Sequence, residues 1–349
     1  MQLLPTAPFA ATLFCLLLSS SRAADCRAGN DGLEGNVIIV DQGGGGNFTS
    51  VQAAIDSVPS GNDNWLSIQI NPGTYEYRLP CLEMVTIPPD KPCIFLQGKG
   101  QDSTIITFDS HEQTDTSATF TSSPDNIVVQ GITFKNSYNR YWSKANEPPV
   151  VQALAARIYG DKTMFFECGF LGLQDTLWDV RGRHYYYSCY IEGAIDFIFG
   201  RGQSFFEDCT MNVTVGLPPY HLSYGCVTAQ DRESPGDPSG FVFQRGSVFG
   251  SGRFLLGRAY GPYSRVVFHE TLLSAGVAPQ GWDSWNFQGD EDIMYAEVDC
   301  EGTGSDTSKR VWWEKHLNET QLQNFSRSYF IDQEGWLANT PLGKKLRPS

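Results

Sequence analysis

Between Thr163 and Cys209 the chain reads TMFFECGFLGLQDTLWDVRGRHYYYSCYIEGAIDFIFGRGQSFFEDC. Three aromatic segments ending in cysteine recur inside it: Phe165-Phe166-Glu167-Cys168, Tyr186-Tyr187-Ser188-Cys189 and Phe206-Glu207-Asp208-Cys209, at intervals of 21 and 20 residues. A repeat of that length marks a solenoid, in which each unit buries its apolar face only by stacking on the next. Leucine-rich repeats have similar periods, but their leucine pattern is missing. Further short apolar strands are predicted at Val37–Val40, Leu66–Ile70, Cys93–Gln97, Thr104–Phe108 and Ile127–Gln130, punctuated by Gly, Asn and Pro. One short helix is predicted from Ser50 to Val58, and no long amphipathic helix follows, although a βαβ fold would need such crossovers. The expected fold is therefore all-β, a right-handed parallel β-helix built as a single-stranded solenoid. An antiparallel sandwich is the alternative.

The same repeat carries the chemistry. Asp175 lies seven residues after Cys168 and Asp196 seven after Cys189, so stacked coils would hold the two carboxyls about 4.8 Å apart. Two acids that close do not both ionise readily, and one pKa rises. A carboxylate beside a carboxylic acid suits both nucleophilic and acid–base work. On the repeat alone, a structural ladder of turn-capping aspartates is an equal reading. Nor does spacing choose the reaction, because retaining glycosidases also hold their carboxylates about 5–5.5 Å apart.

The local sequence is more specific. Gln174-Asp175-Thr176-Leu177 and the run from Gly193 to Gly200 resemble the two catalytic-aspartate motifs of the pectin methylesterase family, commonly QDTL and G-x-x-DFIFG. Leu256-Gly257-Arg258 resembles the start of the family's LGRPW motif, Gln152-Ala153 its QA segment, and Gly281-Trp282-Asp283-Ser284-Trp285 its GWxxW. The likeness runs in order from about Val37 to Leu337. It implies that Asp196 attacks the C6 carbonyl carbon of a methylated galacturonate. Asp175, protonated, donates to departing methanol and then deprotonates water. Gln152 and Gln174 would donate to the tetrahedral oxyanion. Arg258 would pair with Asp196 and lower its pKa, while Trp282, Trp285 and Tyr260 would line the sugar cleft. No metal or organic cofactor is implied, and methylesterified pectin is the expected partner, with a proteinaceous inhibitor by analogy. Several positions depart from the family pattern. Ala259-Tyr260 replaces Pro-Trp, Arg201 stands where Asn is common, Glu147 to Val151 just before Gln152 lack the family's His, and Gly73-Thr74-Tyr75 is followed by an insertion with Glu83 as a displaced partner. These bear on substrate range.

Composition sets the outer bounds. The net charge of −14 argues against nucleic acid as partner and weakens long-range attraction to a polyanion, so substrate must be esterified or held by local contacts. Phe9 to Leu18 is largely apolar, and Ser21-Arg22-Ala23 supplies a cleavage site, which together read as a signal peptide. The predicted organisation is a signal peptide at 1–24, a linker at 25–36, the β-helix esterase domain at 37–340 and a tail at 341–349. No inhibitor-like pro-region is expected before Val37, and no later segment is apolar enough to span a bilayer. The product would be a secreted, extracellular monomer of the cell wall. Sequons at Asn47, Asn212, Asn318 and Asn324 agree with export. Eight cysteines remain after the leader, an even number that favours disulfides without giving their connectivity. The histidines and cysteines lack zinc-site spacing, and the glycines at Gly43–Gly46 lack the Lys-Ser/Thr of a phosphate loop. There is no G-x-S-x-G elbow. Two other readings compete: a β-helical glycosidase or lyase on a related polyuronate, which would cut chains rather than release methanol, and a non-catalytic wall-binding homologue, which would do neither.

Overall fold

Phe165, Tyr186 and Phe206 stand in one register, strand against parallel strand. Their rings stack inside the molecule with centroids 5.1 and 4.4 Å apart, and the ladder continues through Phe243 and Phe268 at 4.6 and 4.4 Å. The sequence repeat is thus the rung spacing of a right-handed parallel β-helix, seen here in a computed structural model. It describes residues 25–27, 37–76, 84–141, 150–217, 222–285 and 292–346. The predicted signal peptide, most of the linker, Cys81, Glu83 and the end of the tail lie outside the described residues.

Successive coils supply the strands of three sheets of ten, eight and eight strands, and the pairings between these strands are parallel. In the coil that opens with Thr163–Phe166, the chain continues through Gly169–Leu171 and Leu177–Asp179 before Arg183–Tyr187 starts the next. The corners after the three strands of the repeat are each turned by a single left-handed residue: Glu167, Ser188 and Asp208 have φ of 52°, 49° and 55°. That turn points the following cysteine inward. Cys168, Cys189 and Cys209 are at most 1% exposed, and their thiols face the carbonyls of Val129, Phe165 and Tyr186 at 3.4–3.6 Å.

The expected disulfide bonding is present: among the described residues Cys26 bridges Cys93, while Cys168, Cys189, Cys209, Cys226 and Cys300 are free. The reason is geometric. Residues in equivalent places on neighbouring rungs keep a separation of about 4.8 Å and parallel Cα–Cβ bonds, whereas a bridge needs Cβ atoms about 3.8 Å apart with converging vectors.

The solenoid is closed at its start by the helix Val51–Asp56, whose Val51, Ala54 and Ile55 enter the core and whose first turn is capped by Ser50. The outer face of the ten-stranded sheet forms a second apolar layer. Phe95, Met164, Phe166, Tyr185 and Phe205 project outward there and are covered by Phe325, Phe330, Trp336 and Leu337 of the C-terminal segment. No helix among the described residues is long and apolar enough to cross a membrane.

Candidate active site

The eight-stranded sheet that runs from Val85–Ile87 to Trp282–Asp283 carries the aspartates at its strand entrances. Gln174 bridges Ile195, and Leu177 pairs with Ile198. Both offsets are 21 residues, the separation of Asp175 from Asp196, so the two acids occupy equivalent places on adjacent rungs. Asp175 N–H donates to Ile195 O at 3.0 Å. Both aspartates have left-handed backbones, with φ of 60° and 48°. Among side chains with a Cβ, Asp and Asn tolerate that region best.

A bulge completes the geometry at Asp196. Ile195 pairs with Cys226 and Ile198 with Thr228, so one extra residue is accommodated between them. Phe197 is driven into the core while Asp196, 5% exposed, faces Arg258. Arg258 lies on the strand Phe254–Ala259 and grips the carboxylate with both arms: Nε donates to Oδ1 at 2.6 Å and Nη2 donates to Oδ2. Such a fork both charges and orients its acceptor.

The electrostatics divide the pair. Burial and the neighbouring charge of Asp196 push Asp175 up to about 8, an effect that Arg258 partly offsets. Asp175 is therefore a carboxylic acid at neutral pH. Asp196 was expected to fall below the ordinary carboxylate range. Burial instead raises it, with Arg258 and the Cys226 thiol pulling it back down. The arginine's role is to limit the cost of burial rather than to produce an unusually strong acid.

Gln174 adjoins Asp175, and Gln152 lies one coil earlier, where Ala153 N–H reaches Gln174 O at 3.2 Å. Trp285 covers Arg258, its ring centroid 3.5 Å from the guanidinium carbon, and Tyr260 meets Trp285 edge-on at 6.1 Å. Tyr260 and Trp285 are 57% and 38% exposed, so they form an open aromatic wall beside the aspartates. Trp282 does not belong to that wall. It is 1% exposed, packs on Phe268 and Tyr295, and pairs in register with inward-facing Gly257. Asp283, the next residue, takes the outward place opposite Arg258. Strand alternation sends one tryptophan inward, and the spacing of the motif does not reveal which.

Two rings on the same face escaped the sequence reading. Arg157, Trp178, Phe199, Ala229, Arg258 and Asp283 form one register column along the sheet. Trp178 and Phe199 stack at 5.3 Å. Each lies three residues beyond an aspartate, so the offset that aligned the acids also aligned the rings. Cys226, in contact with Asp196, had no signal in the sequence.

The family description Pectinesterase matches residues 37–334. The Arabidopsis thaliana protein "Probable pectinesterase 55" is 46% identical over 308 residues, covering 87% of this chain and 91% of that protein. "Probable pectinesterase 29" from the same plant is 44% identical over 307 residues, covering 87% and 90%. Among solved structures, "Pectin methylesterase from Carrot" superposes with a TM-score of 0.80 at 28% identity, over 89% of this chain and 97% of that one.

Proposed function

The chain belongs to the pectinesterase family and is a carboxylic ester hydrolase that demethylesterifies pectin; from that premise we propose how its own residues carry out the reaction. Family membership decides between ester and glycoside cleavage, which carboxylate spacing left open. Asp196, ionised and oriented by Arg258, attacks the carbonyl carbon of the galacturonate methyl ester. The amides of Gln152 and Gln174 stabilise the negative oxygen of the tetrahedral intermediate, a contribution of roughly 10²–10³ in rate per donor. Asp175 gives its proton to the leaving methanol as the intermediate collapses to an acyl-enzyme on Asp196. Its carboxylate then takes a proton from water, hydroxide adds to the acyl carbon, and collapse frees the acid and restores both aspartates. Tyr260 and Trp285, with Trp178 and Phe199, supply apolar faces for the sugar rings.

The observation that carries this reading is the in-register pair: one carboxyl gripped by Arg258, the other pushed up to about 8. The test is methanol release from highly methylated pectin. Asp196→Ala and Asp175→Asn should each lose activity by at least about 10³-fold while remaining folded by circular dichroism. Full turnover by Asp196→Ala would refute the nucleophile assignment. We also infer export to the cell wall, supported by the apolar leader and by the Cys26–Cys93 bridge. N-terminal sequencing of the secreted protein should begin near residue 24 or 25.

A further inference from the structure

The aromatic ladder inside the solenoid ends on an acid. Phe268 pairs in register with Glu297 on the last rung, so a carboxylate takes the inward place that rings hold on the rungs before it. Burying that charge demands a partner, and Arg310 provides it. Its Nε donates to Oε1 at 2.6 Å and its Nη2 to Oε2 at 2.9 Å, with both side chains buried. A guanidinium has five N–H donors in a fixed fork, so three remain. Nη2 also donates to Gly304 O at 2.5 Å, and Nη1 donates to Ala278 O at 3.4 Å and to Pro279 O at 3.1 Å. Every donor is used, two of them on the turn that precedes the strand Trp282–Asp283. Gly281 ends that turn with φ of 70°, and a Cβ there would lie 2.4 Å from Arg310 Cδ, so the turn rests directly on the arginine stem. Val311 N–H reaches Gln280 O at 3.1 Å, and Trp282 Nε1 donates to buried Glu314 at 3.4 Å.

That turn carries the cover of the arginine that grips Asp196. The strand after it has two residues, pairs with Gly257 and Arg258, and delivers Trp285 to the face of the Arg258 guanidinium. Trp285 has a left-handed backbone, with φ of 51°, and its N–H donates to Asp283 Oδ1 at 2.7 Å. Such a conformation costs a bulky residue energy and persists only where the surroundings impose it. Two paired residues, against the usual run of about five or six, do not impose it unaided. We propose that Arg310 is a positioning residue for the reaction: anchored by Glu297 on the last rung, it fixes the turn from Ala278 to Gly281 and so keeps Trp285 over Arg258. This role rests on the assignment of Asp196 and Arg258 and extends it to a residue at the end of the core. Lysine would keep the charge, but it presents three donors from a single point. It could pair with Glu297 without also spanning the turn.

The experiment compares wild type with Arg310→Lys, using as control Arg327→Met, which removes a buried bond to Glu207 in the C-terminal layer. Hydrogen exchange across residues 278–285 should quicken about tenfold in Arg310→Lys, as loss of a charge-assisted hydrogen bond allows, and keep its wild-type rate in the control. On highly methylated pectin, kcat of Arg310→Lys should fall about 10- to 100-fold, the scale of a misplacement near 1 Å. The acid limb of its rate profile should rise by about half a pH unit, part of the roughly 1–3 pH units that an adjacent cation is worth to a carboxylate. The control should leave that limb in place, which a general loss of stability would not distinguish. In a Trp285→Ala background, Arg310→Lys should move the limb no further, because both act through one contact. If Arg310→Lys fails to fold, Gly281→Ala keeps the pair with Glu297, lifts the turn off the arginine stem and should give the same shifts. Unchanged exchange at 278–285, an unmoved acid limb, or a full further shift in the Trp285→Ala background would each overturn the role. A wild-type protein that releases no methanol would instead overturn the reaction, and the exchange measurement would still judge whether Arg310 holds the turn.

Discussion

At the scale of single residues, the site makes a statement about pH. Turnover needs Asp196 ionised and Asp175 protonated, so the rate should rise as Asp196 loses its proton and fall as Asp175 loses its own near pH 8. Replacing Arg258 with Gln removes the main influence lowering Asp196, so the acid limb of the profile should move to higher pH along with a loss in rate. An unmoved acid limb would exclude Asp196 as its origin. Asp175 also affects stability. Its folded pKa lies above the unfolded value near 4, so the folded state holds the proton more tightly, and stability is lost as pH rises from about 4 through 8. Asp175→Asn should therefore be inactive yet more stable than wild type, by about 1–3 kcal/mol at pH 8 in urea unfolding. A variant no more stable than wild type at that pH would contradict the buried-acid picture. These residues were legible in the sequence because they sit in a repeat and in a specific motif. Trp282 was misread because a motif names residues without saying which side of the strand each one takes.

At the scale of elements, the aromatic repeat read correctly as stacked rungs, since identical offsets in sequence become identical places in space. The bulge at Asp196 was not legible: it depends on how the strand Gly225–Gln230 pairs, and that strand is separated from the preceding one, Thr210–Val213, by a stretch with no repeat motif. Nor was the buried polar lock at the end of Leu177–Asp179. His184 contacts the Asp179 carboxylate at 2.6 Å and the Gly160 carbonyl at 2.8 Å, and Asp179 also accepts from Tyr186 and Ser204. The Gly160 carbonyl can only accept, so Nε2 carries a proton, and the Asp179 carboxyl facing Nδ1 favours the imidazolium in a ring with no exposure to water. Burial opposes that charge, but Asp179, the Gly160 carbonyl and more distant Asp161 outweigh it and raise the pKa. The stability this contributes is fully present below about pH 6.5 and is lost as pH rises through the folded-state value. His184→Gln leaves Asp179 buried without its cation and should cost about 3–5 kcal/mol, with a flatter alkaline decline in the denaturant midpoint. Equal midpoints for variant and wild type at pH 6 would contradict the charged form.

At the scale of the whole molecule, the outer layer on the ten-stranded sheet was the least legible part, because its short helical turns show no sustained periodicity. It is locked by a buried cluster. Arg327 donates to Glu207 at 2.9 Å, Tyr185 donates to the same carboxylate at 2.6 Å, and Arg245 reaches its other oxygen. Arg327→Met should destabilise the protein by about 1.5–3 kcal/mol, because a carboxylate that is 2% exposed loses one charged hydrogen-bond donor while Arg245 and Tyr185 remain. Hydrogen exchange should show residues 319–346 opening before the solenoid does, and simultaneous opening of both would contradict a separately docked layer. The constant rung offset has one more consequence. Catalysis here depends on phase: between Gln174 and Gly200, inserting or deleting a single amino acid would swap inside for outside along the rest of the strand and scatter the acids. A whole extra turn of the coil placed before Arg157 would leave every lane aligned and only lengthen the trough. Homologues should therefore differ in size by complete windings, and a designer wishing to grip a longer polymer should splice in the same unit.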